Sequence, residues 1–432
     1  MSASPPTCTR PEGGASGKAQ HPAADAALPY AGLKVIDCAS YIAGPACATL
    51  LGDLGADVVK LEPLEGDPHR SLYQLPGTPP ADANYPWILD SRNKRSLALD
   101  LKRPEARAVL HRLVAQADVF ITNLPLLARE RLGIAAEQLL PLNDRLIYAS
   151  MTAYGETGPE ANKNGFDVTA YWARSGLMDL VRSDANAPPT RPVAGLGDHP
   201  SAVTLMAAVA TALYRRERTG RGGQVATSLL ANGLWSNAIQ VQAQLTGVSY
   251  APRPPRSHAP NALNNIYQCR CGRWLNLVAL NESRQLRPLL TALGLAELAD
   301  DPRFASAPAR AANHDVLIAL IDARFAEHDL PNWRQRLDAV GITFGVIGTL
   351  ADIDNDAQMQ ASGALRPRAD GGGLTVASPV QLAGVAQRAP GPAPALGEHS
   401  AGVLAEAGYT DTEIDHLFSI GVVSAASARP SS

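Results

Sequence analysis

The first half of this chain alternates short apolar strands with helices, and that alternation constrains its fold more than any other feature. Residues 33–37 and 56–61 are apolar runs of strand length, and between them Gly44-Pro45 opens a helix, with proline at an early position where its missing amide is tolerated. Together they make a βαβ unit. Residues 93–102 alternate into a further strand flanked by cations. A helix follows over 104–117, and residues 119–121 and 146–150 continue the series. Past a long helix after Pro200, the glycine turn 220–223 leads into strand 224–227. Repeated βα units predict an α/β fold with a mostly parallel sheet. A nicotinamide dinucleotide does not follow from that sheet, because residues 39–45 lack the GxGxxG spacing that admits a pyrophosphate.

The second half reads differently. Between 246 and 261 the composition shifts to Pro, Arg, Ser and Asn, which marks a linker. Residues 266–270 and 274–279 predict a hairpin, leucine- and alanine-rich helices run up to Val340, and 341–347 predict a closing strand. Residues 371–373 make a glycine turn, and residues 397–400 open a last helical region. At the other end, the stretch through residue 27 is rich in Pro, Ala, Gly, Ser and Thr with no apolar core. It reads as a disordered lead and not as a signal peptide.

Composition narrows the partners. A net charge of −3 with 18% charged residues gives no footprint for nucleic acid, and no run reaches the roughly eighteen apolar residues of a membrane helix. A soluble, cytoplasmic protein acting on small molecules is expected. Five cysteines, at 8, 38, 47, 269 and 271, are odd in number and scattered, which argues for a reducing compartment. Cys269-Arg270-Cys271 lacks a second ligand pair, so no metal is expected.

Within this frame the stretch 192–200 aims a carboxylate out of a glycine turn into a long helix. Val203, Met206, Val209, Ala210 and Leu213 recur at helical spacing, which makes Asp198 the expected N-cap and a candidate nucleophile. A carboxylate there would accept the first orphan amides and sit in the positive end of the helix dipole, favouring the ionised form. From the local pattern alone, simple capping is the plainer reading. Gly195 and Gly197 suit a turn or a close approach to ligand. Asp167 likewise stands at a helix start, where a second N-cap is the plain reading.

Several motifs taken in order resemble family III CoA-transferases. They include Ala43-Gly44-Pro45, Asn93-Lys94-Arg95-Ser96, Gly165-Phe166-Asp167, Gly197-Asp198, Gly272-Arg273-Trp274 and Leu396-Gly397-Glu398-His399, and the likeness spans roughly residues 30 to 422. No single motif is specific; the ordered set is. The resemblance implies a Rossmann-like large domain with a mostly parallel sheet, built from residues 30–245 and 353–432; residues 1–29 before it are the disordered lead read from composition. It also implies a smaller α+β domain over 246–352 and an interlocked homodimer.

It also implies chemistry. Asp198 matches the family's nucleophile and Asp167 a polar residue assisting it, so that CoA moves between two carboxylic acids through an enzyme aspartyl intermediate. Backbone amides between Gly195 and His199 are candidates for an oxyanion site. Leu99, Lys102, Asn123 and Arg131 match residues lining the CoA site, with Ile42 and Ala43 near the thiol end. Acyl-CoA and free acid are the substrates, and no cofactor is expected to stay bound. Departures matter too. Ile42 stands where formyl-CoA transferase has glutamine, and residues 260–266 replace its glycine-rich loop, which argues against formate and oxalate and toward larger hydroxy acids or dicarboxylates. Acyl-CoA racemases share this fold, but Phe166 and Gln268 stand where a racemase has its histidine base and assisting glutamate. A non-catalytic CoA-binding protein is the third reading, should Asp198 be inaccessible to a thioester.

Overall fold

The computed structural model of the chain describes residues 28–251 and 253–425. Its strands are β1 (Lys34–Asp37), β2 (Asp57–Glu62), β3 (Lys94–Leu99), β4 (Val119–Thr122), β5 (Ile147–Thr152), β6 (Gly223–Ser228), β7 (Asn264–Gln268), β8 (Trp274–Val278), β9 (Phe344–Val346), β10 (Leu365–Pro367), β11 (Leu374–Val376) and β12 (Val423–Ser424). Seven of them form the central sheet in the order β12-β3-β2-β1-β4-β5-β6. All neighbours in it run parallel except β12, which pairs antiparallel with β3, Val423 opposite Leu99.

A parallel sheet needs helices on both faces, and the apolar strand residues split accordingly. Val35, Val58, Val119 and Ile121 pack on one side with the helices Ala43–Asp53 and Asp198–Thr219. Ile36, Val59, Phe120 and Tyr148 pack on the other with Pro104–Gln116 and the late helices Ser400–Glu406 and Asp411–Ser419. Each fully buried Val or Leu contributes about 1.5–3 kcal/mol, so this double covering fixes the strands in place. The helix Ala43–Asp53 is buried along its entire length, and its small residues let the Asp198–Thr219 helix lie against it.

A second core is centred on the antiparallel sheet β7-β8-β9. It runs from Ala262 to Ile342 and gathers the helices Glu282–Ala292, His314–Phe325 and Leu330–Ala339 around Trp333, whose indole N–H donates to the Phe325 carbonyl at 2.9 Å. Burial alternates along β7 and β8, as expected of strands with one face toward solvent. After the β10–β11 hairpin the chain returns to the first sheet. The Arg388 amide donates to Asp53 O, the Trp87 indole to Pro394 O, and the His399 amide to Ser96 O.

Two local expectations are corrected. The long helix begins at Asp198 with Gly197 as its N-cap residue, two residues before Pro200. The segment Val168–Arg174 is a π-helix. The lead expected over 1–29 lies, apart from residues 28 and 29, outside the described residues, as does Pro252 of the expected linker.

Candidate functional site

In doubly wound sheets the crevice for ligand opens where the strand order reverses, beyond the carboxyl ends of the strands. Here that point is β1, flanked by β2 and β4. The loops leaving β1 and β4 meet through Asn123, which accepts from the Ser40 amide at 2.7 Å and donates to the Ser40 carbonyl at 2.8 Å. Beside them lies a cleft of about 350 Å³ bordered by Ile42, Ala43, Asn123, Met151, Phe166 and Asp198. A second cleft, of about 290 Å³, is bordered by Leu61, Pro68, Leu99 and Lys102 and shares Ser40 and Leu124 with the first.

The geometry around Asp198 starts from Asp167. Gly195 has φ +92°, a conformation that strains any residue with a side chain, and the turn it makes directs its own amide and that of Gly197 inward. Both donate to one oxygen of the buried Asp167 carboxylate, at 2.8 and 3.3 Å. Gly197 lies flat against Tyr171, and a Cβ on it would meet the ring at 2.5 Å. Asp198 is thereby presented to the cleft at the first position of its helix.

This corrects the expected cap. Gly197 already has helical φ and ψ and no side chain caps the helix, so the Asp198 carboxylate is not spent on the first amides. Nor is it held ionised. Burial, and then the Asp167 carboxylate behind it, push its pKa up to about 7, with His199 pulling the other way and Asp90 adding to the rise. The oxyanion expectation narrows as well: the amides of Gly195 and Gly197 are occupied by Asp167, and that of His199 donates to the Gly195 carbonyl at 3.3 Å.

The remaining candidates divide. Ile42, Ala43, Asn123 and Asp198 border the first cleft, and Leu99 and Lys102 the second. Arg131 lies exposed near the end of the helix Leu126–Leu132, its Nε donating to the Leu127 carbonyl at 3.2 Å; its neighbour Leu132 borders the second cleft while Arg131 itself borders neither. Asp167 sits behind the wall. No cluster that could hold a metal ion occurs among the described residues.

Beneath the β1 loop is a group of buried charges that the sequence did not disclose. Lys60 lies 2.7 Å from Asp67 and donates to the Ala39 carbonyl, and Lys94 lies 2.8 Å from Asp37. Asp67 in turn accepts from the Ser40 hydroxyl and the Tyr41 amide, each at 3.1 Å, and so shapes the turn in which Tyr41 takes φ +60°. Burial works against the charge of Lys60, but Asp37 and Asp67 outweigh it and raise its pKa. A lysine inside the apolar run of β2 was the one available signal, since a buried cation requires a partner.

On the other flank, Asp90 is buried and lies 3.1 Å from His199 Nε2. Tyr41 and Phe166 meet edge to face at 5.7 Å along the border of the first cleft. Lys163, the cation on that border among the described residues, is ion-paired with Glu160 at 2.7 Å.

The family model described as CoA-transferase family III matches residues 30–400. The (R)-2-hydroxy-4-methylpentanoate CoA-transferase of Clostridioides difficile is 31% identical over 392 residues, covering 89% of this chain and 97% of that protein. The cinnamoyl-CoA:phenyllactate CoA-transferase of Clostridium sporogenes is 30% identical over 397 residues, covering 90% and 95%. The solved structure of a CAIB/BAIF family protein from Brucella suis is similar with a TM-score of 0.78 at 31% identity, covering 88% of this chain and 99% of its own.

Proposed function

Because the chain belongs to CoA-transferase family III, we propose that it moves CoA from an acyl-CoA thioester to a free carboxylic acid through covalent intermediates on Asp198. The observation that carries this reading is a half-buried carboxylate, free of capping bonds, on the wall of a cleft at the switch point of the sheet. An enzyme carboxylate can stand in for either acid of the exchange. Asp198 attacks the thioester carbonyl carbon and displaces CoA thiolate, leaving a mixed anhydride. The thiolate attacks the aspartyl carbonyl and releases the donor acid. The acceptor carboxylate then displaces thiolate from the aspartyl thioester, and thiolate attack on the new acyl carbon frees Asp198.

Lys102 and Arg131 supply positive charge for the phosphates of CoA, with Leu99 in the adenine slot and Ile42, Ala43 and Asn123 along the path to the thiol. Of the four carboxylates bordering the second cleft, Glu62 and Asp67 already pair with Arg70 and Lys60, while Glu65 and Asp100 share that border with Lys102. The edge-to-face pair Tyr41–Phe166, and a border cation already engaged by Glu160, favour an acid larger and less charged than oxalate. The two relatives above, named for a branched and an aromatic 2-hydroxy acid, lean the same way. A phenyl ring at 166 accepts no proton, which disfavours racemisation.

The chain acts as an interlocked homodimer in this reading, with residues 246–352 as the smaller domain. Trp235 (82% exposed), Ile239 and Leu245 give the helices Leu229–Ser236 and Ala238–Leu245 an uncovered apolar face, and Val193 and Leu196 do the same beside the Asp198 turn. No helix among the described residues is long and apolar enough to cross a membrane.

The test is chemical trapping. Enzyme treated with acyl-CoA and then hydroxylamine should carry a hydroxamate on Asp198 by peptide mass mapping, and Asp198→Asn should carry none. A label on Asp167, or robust CoA transfer by Asp198→Asn, would sink the mechanism.

A further inference from the structure

His199 follows the nucleophile, and its ring is held at both nitrogens. Nε2 lies 3.1 Å from an oxygen of Asp90, and Nδ1 lies 3.2 Å from the Gly195 carbonyl. Neither a carboxylate nor a carbonyl oxygen has a proton to give, so both contacts are hydrogen bonds only if the imidazole carries a proton on each nitrogen. Asp90 needs that charge. Its side chain is 5% exposed, and among the described residues its carboxylate accepts a hydrogen bond from His199 alone. The other histidine near it, His69, lies 3.7 Å away, with neither ring nitrogen hydrogen-bonded, and burial depresses its pKa. Lys94, which stands behind Asp90, gives its hydrogen bonds to Asp37 and the Pro45 carbonyl; a buried carboxylate with no cation in hydrogen-bond contact is expensive, which leaves His199 as the group that must be charged.

We propose that Asp90 holds His199 as an imidazolium beside Asp198, and that this cation is a positioning element that offsets part of the cost which burial and Asp167 place on ionising the nucleophile. The inference rests on Asp198 being the nucleophile, but the charge of His199 is measurable without it. His199 faces Asp90 from the helix Tyr85–Ser91 and Asp198 on its own helix; behind Asp90 stand His69 and Lys94. The hydrogen bond that His199 donates to Asp90 is the main cause that raises the His199 pKa, in accord with the geometry.

Two measurements on the full-length enzyme test it. Diethyl pyrocarbonate acylates only neutral imidazole, so its rate of attack on the part-exposed His199, followed by peptide mass mapping against pH, reports that ring's titration. The midpoint should lie well above the ordinary value of about 6.5 and return to it in Asp90→Asn. The acid limb of kcat/KM should move to higher pH by about one unit in His199→Gln, giving roughly a tenfold loss at pH 6 that largely recovers by pH 9, and by less in Asp90→Asn, which also removes a charge that raises the Asp198 pKa. His199→Gln lies at a part-exposed position and keeps the test open if Asp90→Asn folds poorly. An ordinary His199 midpoint in the wild type overturns the proposal, and so does a uniform loss of rate at every pH. Failure of hydroxamate trapping would instead overturn the nucleophile assignment alone, since the His199 titration is read without turnover.

Discussion

Asp167 and Gly195 are joined by a hydrogen bond of 2.8 Å across 28 residues of chain, and through it one carboxylate both shapes the turn that presents Asp198 and raises the pKa of that neighbour. The two effects separate in the laboratory. With Asp198 titrating at about 7, wild-type kcat/KM should fall about tenfold per pH unit in the acid range below that value. Asp167→Asn keeps an oxygen acceptor for the glycine amides but removes the negative charge. Its acid limb should therefore shift to lower pH, with a modest loss at the plateau. A limb that stays in place would show that the two carboxylates do not interact.

Asp198→Asn should abolish transfer and also alter stability in a pH-dependent way. The folded-state pKa lies above the unfolded one, so the protonated acid stabilises the fold below pH 4, and that contribution is lost as pH rises toward 7. The amide variant never ionises. Its melting temperature should match the wild type at pH 4 and exceed it by about 2–4 °C at pH 8. Equal melting temperatures at pH 8 would mean that the carboxylate is solvated.

Gly197→Ala places a methyl group 2.5 Å from the Tyr171 ring. Overpacking of this kind costs about 1–3 kcal/mol, and here the strain lies one residue from the nucleophile. A fall in kcat of about a hundredfold with little change in KM is expected. Steady-state kinetics at pH 8 would decide it.

Lys102→Ala and Arg131→Ala should each raise KM for acyl-CoA by about three- to tenfold while leaving kcat close to wild type, since an exposed cation contributes only modest binding energy. The effect should shrink in high salt. Arg131 lies outside the border of the second cleft, so an unchanged KM in that variant alone would assign the phosphates to Lys102.

Trp235→Glu puts a charge into the exposed apolar face of the helix Leu229–Ser236. Sedimentation should show the wild type as a dimer and the variant as a dissociated or aggregated species. A stable folded wild-type monomer at low concentration would remove the dimer from the proposal.

The βα alternation was legible because strands covered on both faces leave unbroken apolar runs such as residues 58–59 and 119–121, and no distant partner is needed to read them. The helix after the glycine turn was legible from the three- and four-residue spacing of its apolar residues. Its cap was not. Whether Asp198 caps depends on the φ and ψ of Gly197, and a glycine leaves those unspecified in sequence. Asp167 looked like a cap because its reach to Gly195 is a tertiary contact, and the Asp90–His199 pair spans 109 residues. Lines of chemistry that cross the fold leave no local pattern.

The antiparallel pairing of Val423 with Leu99 bears on how the molecule is made. The outer edge of the central sheet is laid down within the first hundred residues, yet the strand that closes it leaves the ribosome more than three hundred residues later. Throughout that interval β3 offers its hydrogen-bonding edge to any other extended chain nearby. The core around Trp333, with the residues packed against it, draws on residues 259–346 and has no such separation in sequence. One edge of the early sheet thus waits for a strand encoded near the far end of the described chain.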